Sequence, residues 1–94
     1  MKKFQNKTAL VTGATSGLGK EICLDLAENC ANIIVHYNKN RKDAELLIDE
    51  IKKFNVETYL IQADFSIGDL DEVCGKFIKD ITTNFKTIDY LINN

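Results

Sequence analysis

The chain has 94 residues and a mass of 10.6 kDa, which leaves room for one small domain. Hydrophobic residues make up 45% and charged residues 28%, so the composition is globular rather than disordered. A net charge of −2 spread along the chain excludes a nucleic-acid stripe or a polybasic anchor, and no apolar run is long enough to span a bilayer.

Lys2 and Lys3 open the chain, but the run Ala9-Leu10-Val11 is too short for a signal-peptide core. A cytoplasmic protein is expected. Thr8 to Thr12 is a short apolar run ending at Gly13, the pattern of a fully buried strand. Leu18, Ile22, Cys23 and Leu26 then recur at helical spacing, which predicts a helix from Gly17 to Asn29. Ile33-Ile34-Val35 predicts a second buried strand over 32–37. Ala44, Leu47, Ile48, Ile51 and Phe54 share one face of a predicted helix from Arg41 to Phe54. A third strand is expected over 56–62. Leu70, Val73, Cys74, Phe77, Ile78 and Ile81 mark a third amphipathic helix, with Asp69 and Asp71 in its first turn, where carboxylates suit the helix dipole. Ile88 to Ile92 predicts a fourth strand. Asn29 and Asn55 are expected to take left-handed conformations after the first two helices.

The order β-α-β-α-β-α-β predicts an α/β fold of Rossmann type, a parallel sheet with helices on both faces. Ligands in such sheets bind beyond the carboxyl ends of the strands. The three cysteines, Cys23, Cys30 and Cys74, form no C-x-x-C pair, and they read as small buried hydrophobes in a reducing compartment. The one histidine, His36, lies in an apolar run and reads as a strand residue without chemistry. No metal site is expected.

The turn after the first strand reads Thr12-Gly13-Ala14-Thr15-Ser16-Gly17-Leu18-Gly19. Gly13 allows a sharp turn, Gly17 lets backbone approach a phosphate, and Gly19 lets the helix pack closely. Unpaired amides at the helix start favour an anion, and Thr15 and Ser16 add hydroxyl donors. A P-loop does not fit. Gly19-Lys20 supplies its G-K pair, but Ala14 stands where its first glycine belongs, and Glu21 replaces the hydroxyl residue that would hold magnesium. A response-regulator-like domain would want an acidic pair where Thr12-Gly13 stands.

The sequence resembles the short-chain dehydrogenase/reductase family. The family's T-G-x-x-x-G-x-G pattern is matched at Thr12, Gly13, Gly17 and Gly19. Asp64 follows the third strand, and Asp89-Tyr90-Leu91-Ile92-Asn93-Asn94 is similar to the family's D-x-L-x-N-N-A-G segment. Among family members the chain most resembles bacterial 3-oxoacyl-[acyl-carrier-protein] reductases and related sugar or steroid reductases. The resemblance implies that Gly13, Thr15, Ser16, Gly17, Leu18 and Gly19 hold the pyrophosphate and adenosine ribose. It implies that Asp64 accepts from the adenine amino group beside the backbone of Phe65, and that Asn94 lines the ribose. Asn93 is expected to tie adjacent strands together. Whole family members are usually homo-oligomers.

Cofactor choice depends on the end of the second strand, where an acid accepts from the ribose hydroxyls in NAD-binding members. Here Tyr37 takes that place, Asn38 after it is a candidate cofactor-binding residue, and no carboxylate comes before Asp43. Lys39, Arg41 and Lys42 crowd the loop, which favours NADP over NAD. Two features run the other way, since some NADP-binding relatives carry arginine where Asn38 stands or a basic residue where Ser16 stands.

The family's Tyr-x-x-x-Lys pair is missing from these residues. Arg41 follows Tyr37 by four, Ala63 follows Tyr59, and Asn94 follows Tyr90. The expectation is therefore the N-terminal cofactor-binding segment (1–94) of a larger reductase domain. The alternatives are a non-catalytic nucleotide-binding or interaction module, or an inactive remnant of a truncated gene.

Overall fold

Four apolar runs become four parallel strands in the protein's computed structural model, which describes residues 3–64, 75–77, 79, 81, 83 and 87–94. In chain order the elements are β1 (Thr8–Val11), α1 (Gly17–Glu28), β2 (Asn32–Tyr37), α2 (Arg41–Lys52), β3 (Thr58–Gln62) and β4 (Tyr90–Ile92). The sheet order is β3-β2-β1-β4. Leu10 pairs with Ile34 on one side and with Leu91 on the other. From β1 the chain first builds outward through β2 and β3, then adds β4 on the opposite flank. The strand order therefore reverses beside β1, the place where open α/β sheets form a ligand crevice.

Side chains alternate across the sheet and divide the core in two. Ala9, Val11, Ile33 and Val35 face α1 and α2, where they pack with Cys23, Ala27, Leu47 and Ile51. Leu10, Ile34 and Ile61 face the other way, against Ile81 and Phe77. Gly75, Phe77 and Ile81 have helical backbone, so helices cover both faces. Leu70, Val73, Cys74, Ile78, Asp69 and Asp71 of the expected third helix lie outside the described residues, as does Phe65. The buried residues of α1, Gly19, Cys23 and Ala27, recur every four positions. All are small, so the helix axis lies close to the strands.

Several element ends differ from expectation, each for a local reason. The first helix ends at Glu28, and it is Cys30, at φ 72°, that turns left-handed. Asn29 sits at φ −92°, and its side-chain Nδ2 donates to the carbonyl of Asp25 at 2.8 Å. The Cys30 amide donates to Ala27 (2.9 Å) and the Ala31 amide to Leu26 (3.0 Å), which forms a Schellman motif with cysteine in the position glycine usually holds. At the end of α2, Asn55 does turn left-handed, at φ 59°. The helix stops at Lys52 because the next three amides make the tighter three-residue bonds, Lys53 to Glu50, Phe54 to Ile51 and Asn55 to Lys52.

β3 begins at Thr58 rather than Val56. The amide of Glu57 is taken by the Asn32 side chain, Oδ1 at 2.9 Å, instead of a strand carbonyl. β4 begins at Tyr90 because Asp89 pairs with Thr8 through its carboxylate. The Thr8 amide donates to Asp89 Oδ2 and the Asp89 amide to the Thr8 carbonyl, each at 2.8 Å. β1 ends at Val11, one residue short of Thr12, although the Thr12 amide still donates to Ile92 at 3.0 Å.

Candidate functional site

The turn from β1 into α1 lies at the carboxyl end of the sheet, and its amides divide into two sets. Gly13, at φ 57°, needs the freedom only glycine has there without strain. Its amide donates to Nδ1 of His36 at 3.0 Å, and the next amide, of Ala14, donates to the His36 carbonyl at 3.0 Å. The Ser16 amide donates back to the Gly13 carbonyl, and the Gly19 amide donates to Ser16 Oγ at 3.1 Å. Among the described residues, the amides of Thr15, Gly17 and Leu18 have no partner. These are the donors left for an anion, at the positive end of α1.

Space divides the same way. A Cβ added at Gly17 would meet nothing within 4 Å. One added at Gly19 would lie 2.6 Å from the Gly13 carbonyl oxygen and 2.7 Å from Asn94 Nδ2. Gly17 is therefore open outward and Gly19 packed inward, and Leu18 is 66% exposed between them. Thr15 is half-buried, and Ser16 is exposed.

Asn94 reaches the turn from beyond β4. Its Nδ2 donates to the Gly13 carbonyl (2.9 Å) and to Ser16 Oγ (2.6 Å), and its amide donates to Thr12 Oγ1 (3.1 Å). The Ser16 oxygen thus accepts from two groups and keeps its own hydrogen to give. Thr12 Oγ1 also donates at 3.3 Å to Asn93 Oδ1 and to the Ile92 carbonyl. Both asparagines therefore link β4 to the end of β1.

Asp64 is half-buried and follows Ala63, whose amide donates to the Tyr37 carbonyl at 3.1 Å. Asn38 is exposed, and its carbonyl accepts from Gln62 Nε2 at 2.9 Å. Beside it, Arg41 Nη1 donates to Tyr37 Oη at 3.0 Å and Nε donates to Glu45 at 2.8 Å. The Glu45 carboxylate, helped by Tyr37, holds the Arg41 pKa above its ordinary value. A fixed cation thus stands at the end of β2. Among the described residues, no three His, Cys, Asp or Glu side chains gather into a metal site, and no helix is long and apolar enough to cross a membrane.

The pattern of short chain dehydrogenases matches residues 7–94. The chain belongs to the short-chain dehydrogenase family. It is 44% identical over 89 residues to the 3-oxoacyl-[acyl-carrier-protein] reductase FabG of Staphylococcus epidermidis, and 42% identical over 88 residues to that of Staphylococcus aureus. These matches cover 95% and 94% of the chain but 35% of each relative, so it spans about a third of their length. A Burkholderia cenocepacia dehydrogenase with bound NADP superimposes with a TM-score of 0.85 at 27% identity, over 99% of this chain and 35% of that one. The acetoin dehydrogenase of Enterobacter cloacae superimposes at 0.84 and 28% identity, over 96% and 34%.

Within this short-chain dehydrogenase sequence, the residue that reading along the chain missed is His36. A polar side chain inside Ile33-Ile34-Val35-His36-Tyr37 was the available signal. Only 5% exposed, it needs partners, and it finds them on two other elements.

Proposed function

We propose that these residues form the adenine- and phosphate-binding part of an NADP-dependent short-chain reductase, one that interconverts a ketone and a secondary alcohol. Residues 1–94 are then the N-terminal part of a single Rossmann domain. The observation that carries the reading is the trio of unpartnered amides at Thr15, Gly17 and Leu18 beside a glycine with open space around it. Backbone donors at a helix start, with no side chain in front of them, suit a pyrophosphate. Gly13 and Gly19 hold the turn in shape for it.

The nicotinamide, when bound, supplies or accepts the hydride. The residues present bind and orient the other half of the molecule. The Thr15, Gly17 and Leu18 amides and the Ser16 hydroxyl donate to the pyrophosphate. Asp64 accepts from the adenine amino group beside the Phe65 backbone, and Asn94 offers Oδ1 to a ribose hydroxyl. NADP is favoured over NAD because Tyr37 replaces the acid that would accept from the ribose. Arg41 adds a fixed cation there, with Lys39 and Lys42 on either side. The NADP bound to the Burkholderia cenocepacia relative is consistent with this. The likeness to FabG supports a 3-oxoacyl-[acyl-carrier-protein] reductase-like activity for the whole protein. A cytoplasmic location is part of the same reading, and a homo-oligomer is what complete family members usually form.

A second reading is a nucleotide-binding module without catalysis, and the sequence that follows Asn94 separates the two. In the encoding DNA, Ala-Gly and then a Tyr-x-x-x-Lys pair are expected after Asn94, and a stop codon with neither beyond it favours the second reading. For the cofactor, isothermal titration of the chain is expected to show NADPH bound more tightly than NADH, with the preference reduced in Arg41→Ala. Tighter NADH binding overturns the NADP assignment.

A further inference from the structure

His36, on β2, bonds to the turns that follow β1 and β3. It is the penultimate residue of β2, 5% exposed, and the sole histidine of the chain. Nδ1 lies 3.0 Å from the Gly13 amide, and Nε2 lies 2.9 Å from the Ala63 carbonyl oxygen. An amide can only donate and a carbonyl can only accept. Nδ1 must therefore carry a lone pair and Nε2 the proton, which defines one neutral tautomer. The edge-to-face contact with Phe77, 5.4 Å between centroids at 87°, supports the ring orientation.

We propose that His36 is the positioning residue of the cofactor site. Through its ring it fixes the start of the phosphate turn and the end of β3 to one strand. It thereby sets the distance between the pyrophosphate donors at Thr15, Gly17 and Leu18 and the adenine-side carboxylate of Asp64, the residue after Ala63. The proposal rests on the nucleotide-binding reading above.

The geometry separates two jobs within one residue. The His36 main-chain carbonyl takes the Ala14 amide, a bond any residue at this position can make. The Gly13 and Ala63 bonds belong to the side chain alone. An asparagine here places Oδ1 where Nδ1 stands and keeps an acceptor for Gly13. A glutamine can place its amide near Nε2 and keep a donor for Ala63. Leucine fills the volume and keeps neither bond.

The test uses the full chain with NADPH as the probe. In the wild type, long-range nitrogen-proton NMR is expected to show His36 protonated on Nε2 and bare on Nδ1. His36→Leu is expected to weaken NADPH binding about tenfold or more, since a buried donor and a buried acceptor lose their partners. His36→Asn is expected to recover most of that loss and to keep the Gly13 amide shift near its wild-type position. A merely space-filling role predicts the reverse order, with leucine tolerated better than asparagine. A folded His36→Leu chain that binds NADPH like the wild type overturns the role of His36 alone, as does a wild-type ring protonated on Nδ1. A wild-type chain that binds neither NADPH nor NADH overturns the nucleotide reading and this role with it.

Discussion

The two ends of α1 are closed in opposite ways. At its end, Cys30 and Ala31 donate back to Ala27 and Leu26, so the last carbonyls find partners within one turn. At its start, the turn is held by residues remote in sequence. His36 is 23 positions from Gly13, and Asn94 is 81 positions from Gly13 and 78 from Ser16. A helix end closed by its own neighbours has little left to offer a ligand. A start held from outside keeps its shape while three of its amides stay unspent. Twelve residues, about 18 Å, separate the two ends, so a change at one leaves the other intact.

The sharpest test of this contrast pairs two glycines at the start of α1. A valine at Gly19 must displace the Gly13 carbonyl, a backbone atom that cannot swing aside. Gly19→Val is expected to cost about 1–3 kcal/mol in urea unfolding and to abolish NADPH binding. Gly17→Ala meets no atom within 4 Å. It is expected to keep or raise stability, by about 0.5–1 kcal/mol at most, while weakening NADPH binding. If Gly17→Ala binds as well as the wild type, the open space at Gly17 is not where the cofactor approaches.

The same contrast explains what could be read from the sequence. β2 and the buried face of α2 are legible because strand and helix periods are local properties of Ile33-Ile34-Val35 and of Ala44, Leu47 and Ile51. The Gly13–Gly19 turn was legible because its glycine spacing is local too. The tertiary partners were not. Nothing in the sequence next to His36 indicates that parallel register will set Ile61 opposite it and bring Ala63 within reach of its ring. The Arg41 clamp escaped notice for a related reason, because Tyr37 and Arg41 meet only where a strand gives way to a helix. At the end of α1 the left-handed residue is Cys30, one position beyond the Asn29 that residue type suggests. Residue type favours asparagine in the left-handed position, but the Asn29 side chain is already used on Asp25.

Cys23 tests the middle of α1, between the two ends. It is fully buried, and burial alone pushes its thiol up to about 12. The unfolded thiol ionises at its ordinary value, so in that range the unfolded chain releases a proton that the folded chain keeps. The stability linked to this group is whole below the ordinary thiol range and is lost as pH rises towards about 12. Thermal melts over this alkaline range are expected to fall more steeply for the wild type than for Cys23→Ala. Parallel curves for the two proteins would mean that water reaches the helix where it meets Val11 and Val35.

The smallest effect is expected at the closed end, and its sign is the informative part. Cys30 holds φ 72°, a conformation that costs a residue with a Cβ about 1–2 kcal/mol. Glycine removes that cost but adds about 0.5–1 kcal/mol of backbone freedom to the unfolded chain. The Cys30 side chain is half-exposed beside a cavity shared with Asn6, Phe54 and Asn55, so it gives up little packing. Cys30→Gly is therefore expected to raise stability by roughly 0.5–1 kcal/mol, read as a higher urea midpoint at unchanged slope. NADPH binding should stay at the wild-type value, because the Schellman bonds use backbone atoms that the substitution leaves in place. A loss of stability would show that the Cys30 side chain contributes more by packing than its backbone costs by strain. A change in binding would show that the two ends of α1 are coupled through the helix, against the separation that their hydrogen bonds describe.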